Sequence, residues 1–214
     1  MKRLTLMIVL FFSTFQSATA KQGDYFLRPV FGLSQLSNTS GASEGLGQVD
    51  GDIMVNIDNG INAGLGFGYF YNDNFAVELF WEYRSNESQT TLPDATFYEE
   101  GNYASNLIIV NGHYYFDTTT NWQFYAGLGL GWVQEIDIDL EQGGTELSYT
   151  GSGDIAFQGF AGVDYTISKT LSVNVEARYT QVGSPKLEGE NTIGTINTLD
   201  YSPSTLQLGL TWRF

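Results

Sequence analysis

Hydrophobic and polar residues alternate along eight separate segments of the chain. Alternation with a period of two predicts β-strands, because successive side chains of a strand point to opposite faces. Consecutive segments would pair as neighbours, so we predict an all-β fold built as an antiparallel up-and-down meander. The predicted strands are 24–36, 60–72, 75–85, 104–116, 122–134, 154–166, 171–181 and 203–214.

One face of every predicted strand is apolar and carries no charged residue. Several of these faces end in Trp or Tyr, among them Trp81, Tyr83, Trp132 and Tyr179. Aromatic residues at the ends of an apolar band are typical of the interface girdles of membrane β-barrels. The pattern therefore favours a face that contacts lipid.

The opposite face carries four arginines and four acids, a balance that suits enclosed pairing. A soluble sandwich or lipocalin-like barrel is the alternative, since alternation alone does not say which face is inside. The predicted lumen network consists of Arg28, Glu78, Glu82, Arg84, His113, Asp164, Glu176, Arg178 and Arg213.

The lengths of the connecting segments also alternate. Short connections at 72–74, 117–121 and 167–170 alternate with long polar ones near 37–59, 86–103, 135–153 and 182–202. Transmembrane barrels have short periplasmic turns and long external loops. Together with the two faces, this predicts an eight-stranded antiparallel transmembrane β-barrel.

The N-terminus has the features of a secretory signal peptide. A basic start at Lys2 and Arg3 is followed by a short apolar run, 4–12, and by Ala18-Thr19-Ala20. We expect cleavage after Ala20, with residues 1–20 as the signal peptide and 21–214 as the barrel. No later stretch reaches the 20 or so apolar residues that a transmembrane helix needs.

Acidic residues give the chain a formal net charge of −15. The long loops and the adjoining Asp154 hold 17 of the 24 acids, which makes a nucleic-acid partner improbable. Glu135, Asp137, Asp139 and Glu141 alternate along one loop edge and could bind Ca²⁺ or Mg²⁺, or bridge to lipopolysaccharide phosphates. A solvated acidic face is the simpler alternative.

No catalytic, metal or cofactor site is expected. His113 is the single histidine, there are no cysteines, and the histidine lies close to a short turn. The repeats Gly64-Leu65-Gly66-Phe67-Gly68 and 127–131 lack the spacing of nucleotide loops. We expect these glycines to make room for larger inward side chains, and we expect the protein not to be an enzyme.

The last strand resembles the C-terminal recognition signal that the barrel-assembly machinery reads. Apolar residues alternate up to a terminal aromatic, at Leu208, Leu210, Trp212 and Phe214. The segments 125–131, 159–165 and 175–179 resemble the OmpA-like superfamily of small outer-membrane β-barrels. Segments 23–28 and 74–79 are also similar to OmpW-type barrels, an alternative subgroup.

The resemblance implies residence in the outer membrane of a Gram-negative bacterium, in contact with lipid and lipopolysaccharide. Our first functional hypothesis is a structural or surface-interaction protein, with a plugged polar lumen and acidic loops that could meet a surface ligand or host partner. The second is a narrow channel or an OmpW-like pathway for small hydrophobic solutes. Within the lumen, a plug competes with a gate in which charged pairs exchange partners.

The C-terminal pattern generates the first prediction. Changing Phe214 to Asp should impair assembly more than a substitution in any long loop, because the charge replaces the terminal aromatic of the expected recognition signal. Folded protein in outer-membrane fractions measures the effect, with Glu146→Gln as the loop control. Equal yields of the two variants would contradict the prediction.

Overall fold

The computed structural model describes residues 22–46 and 49–214. The predicted signal peptide, 1–20, lies outside these residues. Over the described part of the chain, no helix combines the length and the apolar character needed to cross a membrane.

The described residues form thirteen antiparallel β-strands, more than the eight predicted from the sequence. The additional strands lie in segments that were predicted as long loops. The strands are β1 (Tyr25–Gln35), β2 (Thr39–Glu44), β3 (Gly51–Phe70), β4 (Phe75–Thr91), β5 (Phe97–Tyr98), β6 (Glu100–Tyr115), β7 (Trp122–Gln142), β8 (Thr145–Gly151), β9 (Ile155–Thr166), β10 (Leu171–Val182), β11 (Leu187–Gly189), β12 (Thr195–Asn197) and β13 (Ser204–Arg213).

Eight of these strands pair in a cycle, which we call the lower ring. β1 pairs with β3, and the pairing continues through β4, β6, β7, β9, β10 and β13. β13 returns to β1, with Val30 opposite Gly209. Each of these strands is therefore paired on both sides, which satisfies the backbone groups that an open edge would leave unpaired.

A second cycle, which we call the upper ring, uses the predicted loop segments. The upper parts of β3, β4, β6 and β7 are shared with the lower ring, whereas β8, β11, β12 and β2 complete the circle. Half of the wall thus runs continuously through both rings. The other half is divided, because β1, β13, β10 and β9 end where the upper strands begin.

The two rings bury opposite kinds of side chain. In the lower ring, apolar residues such as Leu128 point outward and are 76% exposed, whereas Glu78 and Arg28 are buried. The upper ring is apolar inside, like an ordinary soluble protein. Its core includes Ile53, Val55, Ile57, Tyr103, Ile136, Ile138, Leu140, Tyr149, Leu187, Ile196, Leu199 and Tyr201.

Two β-bulges mark the change from one ring to the other. In β7, the register against β6 shifts at Gln134, and in β3 the register against β4 shifts between Ile57 and Gly60. A bulge adds one residue and so exchanges the faces of everything beyond it. Trp132 consequently points outward, whereas Ile136 on the same alternation points inward.

Deleting Gln134 tests the role of the bulge. Without the extra residue, Ile136, Ile138 and Leu140 would face outward and Asp137 and Asp139 would face the core. We expect failure to reach the folded state, measured by heat-modifiable migration on gels. Gln134→Ala keeps the residue count and should fold normally, so equal behaviour of the two variants would contradict the prediction.

Candidate functional site

Arg28 lies at the centre of a buried charge network inside the lower ring. Its Nε and Nη2 donate to the two carboxylate oxygens of Glu78 over 2.8 and 2.7 Å. Its Nη1 donates to Oε2 of Glu176 over 2.8 Å. The three residues come from β1, β4 and β10, so the network joins separate parts of the wall across the lumen.

A second arginine shares the carboxylate of Glu176. Arg178 donates to Oε1 of Glu176 through Nη2 over 2.6 Å, and its guanidinium carbon lies 4.3 Å from the ring centroid of Phe80. Arg84 pairs with Glu82 at 2.6 Å, and Glu82 lies 3.8 Å from Arg178. Six of the predicted lumen residues therefore form one connected set, namely Arg28, Glu78, Glu82, Arg84, Glu176 and Arg178.

His113 contacts this set through Glu78. Its Nε2 lies 3.1 Å from Oε2 of Glu78, and its ring packs against Phe160 at 4.7 Å between centroids. Within the described ranges, no three His, Asp or Glu side chains are grouped so that they could hold a metal ion. The imidazole is therefore placed as part of the lumen packing.

Asp164 and Arg213 lie apart from the connected set, although both are buried. Nη2 of Arg213 donates to Oγ of Ser172 over 2.8 Å. Asp164 takes part in none of the ion pairs of the described residues, and Asn174 lies opposite it on β10. The predicted network thus divides into a connected centre and two residues near the short-turn end.

Neutral side chains that the charge pattern did not single out complete the network. Tyr125 donates its hydroxyl to Glu176 over 2.9 Å, Asn111 donates to Glu78 over 3.0 Å, and Gln207 donates to Glu176 over 2.7 Å. All three positions share the inward alternation of their strands. Their position on the inward face was the signal in the sequence, but the predicted lumen network contained only charged residues and histidine.

Small residues leave space for this arrangement. A Cβ placed on Gly66 would overlap the carboxylate of Glu78, which is on the neighbouring strand β4. A Cβ on Gly127 would overlap the ring of Phe160. The glycine repeats thus make room for large inward neighbours, as expected from the sequence.

The residues of the predicted assembly signal lie on the outward face of β13 and at the chain end. Leu208, Leu210, Trp212 and Phe214 are all exposed. Phe214 exchanges backbone hydrogen bonds with Tyr25 over 2.9 and 3.0 Å, which ties the C-terminus to β1. Recognition by assembly machinery remains a prediction.

The outer surface of the upper ring is acidic. Above the bulge in β7, Glu135, Asp137, Asp139 and Glu141 share the outward face. Asp139 accepts hydrogen bonds from Ser148 and Asn102. No group of three His, Asp or Glu side chains that could hold a metal ion occurs among the described residues, so the structure does not support the divalent-cation hypothesis.

These carboxylates affect one another's ionisation. Partial burial, followed by the charges of Asp139, Glu135 and Glu190, raises the pKa of Asp137 from its ordinary value of 3.8 to about 6. Burial contributes most to this shift, and the three neighbouring carboxylates add to it.

Comparisons with known proteins agree with this architecture. The family model described as the outer membrane protein beta-barrel domain matches residues 5–214. The structure is similar to OprG from Pseudomonas aeruginosa, with a TM-score of 0.67 and 18% identity over 94% of this chain and 99% of that one. It is also similar to Neisserial surface protein A, with a TM-score of 0.52 and 15% identity over 90% and 100%. No curated protein sequence matches.

The inverted lower ring and these comparisons define an outer-membrane protein of a Gram-negative bacterium. The chain belongs to the outer membrane protein β-barrel family. The solved structures share its fold at identities too low to transfer a function. The sequence-based prediction of family and location is therefore confirmed.

The central ion pair generates a stability prediction. Glu78→Ala should lower the free energy of unfolding by about 3–5 kcal/mol, because it leaves a buried guanidinium without its two-point partner. Urea unfolding of the refolded protein measures the change. Glu87→Ala removes an exposed acid from the same strand and is the control; equal stability of the two variants would contradict the prediction. The double variant Arg28→Met, Glu78→Leu should be milder than Glu78→Ala.

Asp137 generates a pH prediction. Its pKa is higher in the folded state than in the unfolded chain, so folding favours the protonated form. The stabilising contribution of Asp137 should therefore grow as the pH falls from about 7 towards 4. It should be absent at pH values above the folded-state pKa of about 6. Asp137→Asn should raise the unfolding midpoint at pH 7.5. It should also reduce the difference between the midpoints at pH 7.5 and pH 5. If the midpoints of the parent and the variant depend on pH in the same way, Asp137 is not the source of the pH dependence.

Proposed function

We propose that the eight strands of the lower ring cross the outer membrane as a barrel whose lumen is blocked by the Arg28 network. The supporting observation is the two-point pair of Arg28 with Glu78, held on its other side by Glu176. A ring of eight strands is just wide enough for its side chains to meet. A network that links β1, β4 and β10 would then leave no continuous path for water.

A fixed plug fits the contacts better than a gate. Each oxygen of Glu78 is engaged by Arg28, and Oε2 also accepts from Asn111. Glu176 is held by two arginines together with Tyr125 and Gln207. Exchanging partners would require several buried bonds to break together, which is costly in a low-dielectric interior.

The upper ring would then act outside the cell as an acidic surface. Its outward carboxylates and its distance from the lumen network suit a structural or surface-interaction role. Lipid and lipopolysaccharide would contact the apolar face of the lower ring, and a surface ligand or host protein would meet the upper one. The exposed C-terminal residues would be read by the assembly machinery.

Planar-bilayer recording of the refolded protein tests the plug. The parent should show no steady conductance, whereas Glu78→Ala should raise it by opening a water path. Glu87→Ala should behave like the parent. Steady conductance in the parent would refute the plug and favour a narrow channel.

A second candidate function is a side route for small hydrophobic solutes. The upper ring is apolar inside, and a surface pocket of 560 Å³ lies on the divided side of the wall, where β9 begins and β10 ends. Ile155, Phe157 and Val182 are among the residues that line this pocket. A solute could enter the upper ring and leave sideways into the membrane without passing the charged network.

Transfer of N-phenyl-1-naphthylamine into proteoliposomes tests the side route. Val182→Trp should slow the transfer by filling the divided wall, whereas Phe124→Trp, on the outward face of the lower ring, should not. The variants must first show the heat-modifiable migration of the parent. Equal transfer by both variants and by protein-free liposomes would reject this route.

A further inference from the structure

A concave, acidic site lies on the outer surface of the upper ring, where β4, β6, β7 and β8 are neighbours. Its volume is 430 Å³, seven of its lining side chains are acidic, and none of the described residues that line it is basic. We define this acidic groove by six of its lining residues, namely Ser88, Glu100, Gly101, Asp139, Glu141 and Glu146.

Three glutamates of the acidic groove lie directly opposite one another on adjacent strands. Glu100 on β6 is the partner of Glu141 on β7, and Glu141 is the partner of Glu146 on β8. Neighbouring strands are about 4.8 Å apart, so the three residues form a row about 10 Å long. Like charges in directly opposite positions destabilise a sheet, and a bound cation would offset that cost.

The chain itself supplies no cation to this row. Lys186 is the one basic residue that the described ranges place in the upper ring, and it pairs with Glu188 over 2.8 Å. Asp139, beside the row, accepts hydrogen bonds from the neutral side chains of Ser148 and Asn102. These donors orient the carboxylate but leave its charge uncompensated. The countercharge must therefore come from solution.

A buried hydroxyl without a partner borders the same groove. Ser88 is only 4% exposed, and its Oγ has no hydrogen-bond partner in the part of the chain that the structure describes. The β4–β6 ladder ends at Glu87 and the β4–β5 ladder begins at Thr90, so the wall is interrupted beside Ser88. Gly101 leaves this place uncovered, because a Cβ there would lie 3.4 Å from Oγ. The hydroxyl can therefore accept a hydrogen bond from a ligand in the groove.

The spread of these groups fits an elongated cation better than a metal ion. Among the described residues, no three acidic or histidine side chains are grouped closely enough to hold a metal ion. Single bonds of about 1.5 Å place amines that are joined by three or four methylenes about 5–6 Å apart. That spacing is close to the strand spacing of about 4.8 Å. The volume of the groove is in the range of small-molecule sites.

We propose that the acidic groove binds a linear polyamine. Successive ammonium groups lie on Glu146, Glu141 and Glu100, and the last one also donates to Ser88, so the molecule crosses β8, β7, β6 and β4 in order. An ammonium group donates hydrogen bonds and accepts none, which suits a lining of carboxylates and an unpaired hydroxyl oxygen. This inference rests on the surface role proposed above for the upper ring, and it names the class of ligand.

Titration calorimetry with four cations tests the proposal. Spermine, spermidine, putrescine and Mg²⁺ are titrated onto the refolded protein in phosphatidylcholine nanodiscs at low ionic strength, with empty nanodiscs subtracted. We expect spermine to bind about tenfold more tightly than putrescine or Mg²⁺, because only the longer amine reaches the whole row. Spermine and Mg²⁺ binding with equal affinity would overturn the choice of an elongated cation.

Charge-matched variants separate a site from the general attraction of an acidic protein. The double variant Glu100→Gln, Glu141→Gln should weaken spermine binding about tenfold. The control double variant Glu44→Gln, Asp52→Asn removes the same charge from residues outside the groove and should bind like the parent. An equal loss of affinity in the two double variants would show diffuse attraction and would overturn the site.

Ser88→Ala tests the hydroxyl without a change of charge. The group has no partner among the described residues, so the variant should fold like the parent, and its spermine affinity should fall about two- to tenfold. Ser85→Ala, elsewhere on β4, should bind like the parent. If the two variants bind spermine equally, the proposed contact with Ser88 is wrong.

Cysteine labelling of intact cells separates this inference from the surface role on which it rests. The chain has no cysteine, so Thr145→Cys gives a single thiol on the upper ring and Lys169→Cys gives one in the turn between β9 and β10. A maleimide that cannot cross the membrane should label only the first. Spermine binding without labelling at position 145 would refute the surface role alone. Labelling at position 145 without spermine binding would refute the acidic groove as a polyamine site and leave the surface role intact.

Discussion

The membrane's demand for an apolar outer face determines the rest of this structure. Leu, Phe and Trp side chains that would form a core in a soluble barrel lie on the outside of the lower ring. The lumen therefore receives the polar positions of every strand, and its charges have no bulk water to solvate them. Three arginines and three acids form one connected set in this narrow space, whereas Arg213 and Asp164 lie apart from it.

The apolar outer face of the lower ring ends at the two bulges. Apolar alternation continues along β7 from Trp132 to Ile136, but one extra residue turns its face from the lipid to the interior. β3 does the same between Ile57 and Gly60. The same alternation thus places apolar side chains on the outside of the lower ring and in the interior of the upper ring.

Alternation and charge placement were enough to predict the lower ring from the sequence. The outward faces and the central residues Arg28, Glu78 and Glu176 follow from them, whereas the family was predicted from the resemblance of the last strand and three other segments to known barrels. The upper ring was missed because β2, β8, β11 and β12 are short and rich in Ser, Thr, Gly and acids, a composition that is typical of loops. Bulges leave no mark in an alternating pattern, and the bonds of Tyr125 depend on the barrel's cross-lumen geometry.

The two interiors meet at Arg84, which lies between the charged set of the lower ring and the apolar core of the upper ring. On one side Arg84 is paired with Glu82, which belongs to the charged set. On the other side it lies two residues from Asn86, the strand neighbour of Tyr103 in the apolar core. A guanidinium suits such a boundary because its donors point in several fixed directions and it never loses its charge. One edge can complete an ion pair while another is presented to the apolar side, which a lysine ammonium would do with less directional control.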